Sequence, residues 1–193
     1  MDALNSIWQV IVQSDVWKSV FSHLKWIDWM VLFAVFFGFW GGLKKGLPRA
    51  FLECLTVAAS LVLTMEFYPQ AALLLKSILS FLSSEMLNVV GFFAVALGVM
   101  GLLRFLFWGL LFFLPAAESS VIEAALAVVF NVGSKLLFLG LAAQAILIGP
   151  WGGLKQVFGS GDSYTGHFLV QMTMSFHGWF NGPLTALRSA VSL

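Results

Sequence analysis

A chain of 193 residues that is 60% hydrophobic and only 10% charged, with 20 Phe and 8 Trp, lacks the surface of a soluble domain, where about a quarter of residues carry charge. The net charge of +1 says nothing of nucleic acid, but no basic run of the length such a partner needs exists, so none is expected; a lone cysteine, Cys54, excludes an internal disulfide. The composition points to an all-α integral membrane bundle whose first partner is the lipid bilayer.

Residues 1–25 place Leu4, Ile7, Trp8, Ile11, Trp17, Val20, Phe21 and Leu24 at three- and four-residue spacing, with Asn5, Gln9, Gln13 and Ser22 on the partner face. This predicts an N-terminal amphipathic helix, lying either in the interfacial headgroup layer or against the bundle. Its scattered charges, Asp2, Asp15, Lys18 and Lys25, do not form a cleavable signal.

A membrane domain of about four transmembrane helices is expected over 26–150. The first span includes the uncharged stretch 29–43, about 22 Å at 1.5 Å per residue. It reaches a workable length with Ile27 included and with Lys44 and Lys45 stretched toward the interface. Apolar residues surround it, so the helix has no face that wants water. The second span is expected over 50–68. Glu53 sits near its basic end, where Lys and Arg neighbours neutralise it. Residues 76–85 read as a loop with some apolar periodicity or as a short helix lying along the surface. Ser83, Ser84 and Glu85 open a third helix, about 86–114, and the capping-box spacing of Ser120 and Glu123 opens a fourth, about 121–148. Each is roughly 43 Å long, beyond a hydrocarbon core of about 30 Å. Either both helices tilt strongly, or the hairpin at 105–134 projects past Arg104 and Lys135, the geometry that agrees with the positive-inside rule.

Residues 151–193 form a loop and a C-terminal amphipathic interfacial helix. Residues 170–177 alternate apolar and polar like a strand, but a lone strand has nothing to pair with. Phe168, Met172, Phe176, Trp179 and Phe180 also share one helical face. Lys44, Lys45 and Arg49 are the topology anchor: short loops rich in Lys and Arg stay cytoplasmic, which places both termini outside.

Ile27-Asp28-Trp29 stands at the mouth of the first span. Gly42-Leu-Lys-Lys-Gly46 stands at its exit, with Arg49 three residues on and a second span of matching length. This resembles the colicin V production (CvpA-like) family of bacterial inner-membrane proteins. In that family a later span is preceded by glycines at four-residue spacing and a basic residue. Ala125, Val129, Gly133 and Lys135 occupy those positions here. The resemblance covers about 28–148. It implies a four-span helical protein supporting bacteriocin or toxin production, export or envelope maintenance, with no active-site residues to carry over and no cofactor.

Gly38, Gly42 and Gly46 fall four apart and, with Gly133, are candidates for close helix packing. Such packing occurs within one chain, in a homo-oligomer or against other envelope proteins. Asp28, Arg104, Glu123, Asn131, Ser134 and Lys135 are candidates for a polar path or partner-binding face, because ionisable groups inside membranes are functional candidates by default. The competing reading of that face is ordinary interhelical hydrogen bonding. Ser160, Asp162, Ser163 and His167 lie too close in sequence for a hydrolase triad and lack the nucleophile-elbow spacing. His23, His167 and His177 lack metal-ligand spacing. The reading is a non-enzymatic membrane component, with a small channel or transporter subunit around Arg104 and Lys135 as the alternative.

Overall fold

The computed structural model describes residues 25–79, 81–113, 120–159 and 163–191. The amphipathic helix expected over 1–25 lies outside the described residues. Those described form six helices: α1 (Trp26–Lys45), α2 (Leu47–Ile78), α3 (Ser84–Phe113), α4 (Val121–Ile148), α5 (Gly152–Gly159) and α6 (Tyr164–Val191). The first four are long and apolar enough to cross a membrane.

Helix α1 has 20 residues, about 30 Å, which matches a hydrocarbon core. It starts where the Lys25 backbone N–H donates to the Asp28 carboxylate at 2.8 Å, satisfying a donor at the helix entrance. It ends at Gly46, whose φ of 73° is a backbone state that L side chains rarely adopt. Pro48 follows in the first turn of α2, where a missing N–H costs nothing.

The expected stop at residue 68 is corrected. Helix α2 runs for 32 residues, about 48 Å, straight through Pro69. Helix α3 seats Gly91 on that turn: a Cβ there would lie 2.9 Å from the Ala72 nitrogen and 3.1 Å from the Tyr68 carbonyl oxygen. Tertiary packing thus holds the helix where proline removes a backbone bond. The apolar periodicity at Leu73, Leu74 and Ile78 belongs to the last turns of α2, and only a short connection separates it from Ser84.

Spatial order differs from chain order. Helix α4 packs against both α1 and α2, α2 also packs against α3, and α6 lies against α4 with contacts to α1 and α2. Leu61, Phe92, Ala96, Leu141 and Ala145 form the core where α2, α3 and α4 meet. Ile27, Ala143, Phe158 and Val170 close the end where α1, α4, α5 and α6 converge. Small residues on α4 let its neighbours approach closely.

The exterior is that of a multi-pass membrane protein. Phe33, Phe36, Phe37, Phe39 and Trp40 of α1 are each more than half exposed. In water such a surface would drive aggregation; in lipid it meets its own kind. The third and fourth helices fall within a residue or two of their expected bounds, and residues 170–177 are helical within α6.

Candidate functional site

The polar residues of the bundle separate into a buried seam, a lock at one end of α1, and a charged cleft at the other. The seam joins α1 to α4. Asn131 is fully buried, and its side-chain amide donates to the Gly38 carbonyl at 2.6 Å. A Cβ on Gly38 would lie 2.8 Å from Val132 Cα, and one on Gly42 would lie 2.5 Å from Val128 Cα. Gly41 meets the Asn131 amide the same way, at 2.6 Å, a role its spacing did not reveal. Ala127 and Ser134 are buried beside Asn131, so this face of α4 lies inside the chain.

Two of the four glycines make no close helix contact within the chain. Gly46 has nothing within 4 Å of a would-be Cβ and serves as the elbow between α1 and α2. Gly133 offers only ordinary contact, 3.9 Å from Cys54 Sγ. Glu123 also leaves the candidate polar face. It accepts from the Ser120 N–H at 3.3 Å while its own N–H donates to Ser120 Oγ at 3.3 Å, forming the expected capping box.

Asp28 stands at the lock, at the opposite end of α1 from Lys45. Its buried carboxylate accepts from Ser163 Oγ at 3.2 Å and from Thr165 Oγ1. Ser163 Oγ in turn accepts from the Gly166 N–H at 3.1 Å and so caps α6. Asp28 therefore ties the start of α1 to the start of α6 rather than joining Arg104 and Lys135.

The charged cleft surrounds Glu53 of α2. Lys45 of α1 donates to one carboxylate oxygen at 2.5 Å, and Lys135 of α4 reaches the other at 3.4 Å. One anion thus holds the ammonium groups of two neighbouring helices. Around it opens a cleft of about 750 Å³, with Lys45, Arg49, Glu53 and Arg104 on its wall beside Phe105 and Trp108. Lys44 turns away and lies over the Trp40 ring, 4.9 Å from its centroid. Arg104 and Lys135 do belong to one neighbourhood, through Glu53.

A second polar set had no sequence signal. Ser60 and Thr64 of α2 are fully buried, with no hydrogen-bond partner for their hydroxyls among the described residues. The Gln144 amide donates to Thr173 Oγ1 at 2.8 Å, with Gly140 leaving room for that threonine. His177 and Glu66 approach within 3.8 Å. Among the described residues, no three His, Cys, Asp or Glu side chains gather to hold a metal ion.

Fold and site together define a four-span helical membrane protein with a basic cleft at the elbow between its first two spans. No protein-family model, curated protein or solved structure matches the chain.

Proposed function

We propose that this chain is a non-enzymatic component of the bacterial inner membrane. In this reading it supports toxin or bacteriocin production, export or envelope maintenance, in the manner of the CvpA-like proteins it resembles over about 28–148. It works through association with itself or with other envelope proteins. Its elbow at Lys44, Lys45 and Arg49 faces the cytoplasm and its termini face outward, as the positive-inside rule requires.

The observation that favours this over a channel is the Asn131–Gly38 bond at 2.6 Å. It commits the polar face of α4 to packing against α1, so that face does not line a hydrated path within one chain. The Lys135 ammonium is likewise held by Glu53.

The test is to delete the gene and measure toxin secretion and detergent sensitivity, with complementation by wild type. Liposome flux is measured in parallel for wild type, Arg104→Ala and Lys135→Ala. Loss of secretion or envelope integrity, restored by wild type, with no liposome flux, supports the proposal. Wild-type flux abolished by both substitutions would replace it with the channel reading. A membrane-impermeant thiol reagent that reaches Lys44→Cys from outside intact cells would invert the orientation.

A further inference from the structure

The cleft at the elbow is electrically unfinished. Glu53 is shared by Lys45 and Lys135, whereas Arg49 and Arg104 are exposed and have no ion-pair partner among the described residues. The cleft wall and the Glu53 ion pairs therefore gather four cations in one neighbourhood with a single carboxylate. The backbone adds to the imbalance. No side chain caps α2, its first turn holds no acidic residue, and Arg49 stands there instead. A helix N-terminus carries partial positive charge, so a base in that turn is unfavourable unless an anion joins it.

The walls beside these bases are greasy. Phe105 and Trp108 are 73% and 70% exposed, and Leu102 and Leu106 are open on the same helix next to Arg104. The cleft volume of about 750 Å³ exceeds what an inorganic anion fills and lies in the range of organic-ligand sites. We infer that this cleft holds the phosphate of an anionic phospholipid head group. Arg49 and Arg104 contact the phosphate oxygens, and the acyl chains run along the aromatic wall of α3. Guanidinium groups suit this ligand because their planar N–H forks match phosphate oxygens. Free phosphate answers the charge but leaves the apolar wall uncovered; a lipid answers both. Basic pockets at membrane boundaries are recurrent sites for such head groups.

The experiment is native mass spectrometry of the full chain in neutral detergent, titrated with phosphatidylglycerol or phosphatidylcholine. Wild type should retain phosphatidylglycerol at least about tenfold better, reflecting its net negative charge. Arg49→Gln with Arg104→Gln should weaken retention about twenty-five-fold, about fivefold for each guanidinium lost. Lys44→Gln, outside the cleft, should leave it unchanged. Equal retention of the two lipids, or an equal loss in Lys44→Gln, would overturn the assignment. Displacement of the lipid by millimolar phosphate or glycerol 3-phosphate would overturn it in favour of a soluble anion. Should the double variant aggregate, wild type alone decides. Added salt must lower the phosphatidylglycerol preference, and a salt-independent preference rejects the site.

Discussion

Replacing Gly42 with alanine tests the seam on which the bundle rests. The added Cβ would stand 2.5 Å from Val128 Cα, 2.9 Å from Val128 N and 3.0 Å from the Ala127 carbonyl oxygen. All three are backbone atoms, so no side chain can swing aside. Ordinary carbon contacts need roughly 3.5–4.0 Å, and α1 must therefore move from α4 by about 1 Å. Overpacking of this kind costs about 1–3 kcal/mol. A shift of that size also takes the Asn131–Gly38 bond from 2.6 Å beyond hydrogen-bond reach. In a membrane such bonds contribute roughly 0.6–1.7 kcal/mol. The total is about 2–5 kcal/mol. The assay is unfolding in mixed micelles with rising dodecyl sulfate, followed by tryptophan fluorescence. Gly98→Ala is the control, because a Cβ there meets nothing within 4 Å. Equal unfolding midpoints for Gly42→Ala and Gly98→Ala would refute the reasoning.

Three further outcomes can be checked in the same system. Glu53→Gln leaves the Lys45 and Lys135 ammonium groups facing each other without their shared anion. A destabilisation of about 1–3 kcal/mol is expected, the partial exposure of both lysines lowering it from the buried limit. Adding Lys135→Met should recover part of that loss, and no recovery would mean that the two lysines do not share the carboxylate. Asn131→Asp should be worse than Asn131→Ala, since it sets a carboxylate against the Gly38 carbonyl in place of a donor; the reverse ranking in dodecyl sulfate titrations counts against the bond. Asp28→Ala removes the acceptor for Ser163 and Thr165. Hydrogen exchange at the first turn of α6 should then quicken while α3 stays protected, and unchanged exchange would show that the lock holds nothing.

Much of the fold was legible because its signals are local. Long apolar runs set four spans, Ser120 and Glu123 announced the start of α4, and the glycine spacing named Gly38 and Gly42. Glu53 was rightly expected to find basic neighbours. What sequence hid is long-range. The partner of Asn131 is a backbone carbonyl 93 positions away, and Asp28 meets hydroxyls more than 130 positions on. Neither leaves a periodic trace. Pro69 reads as a stop in any single-chain propensity argument, yet Gly91 on another helix holds the turn. Gly46 shares its spacing with Gly38 and Gly42 but differs in its dihedral angle, which spacing does not report.

The placement of α4 between α1 and α2 also dictates the order of biogenesis. Helices α1 and α2 have little contact with each other, because the position between them belongs to α4, which is synthesised later. Until α4 enters the bilayer, the Gly38 carbonyl lacks the Asn131 amide and Glu53 lacks its second lysine. A product truncated before residue 121 would leave the position between α1 and α2 unfilled.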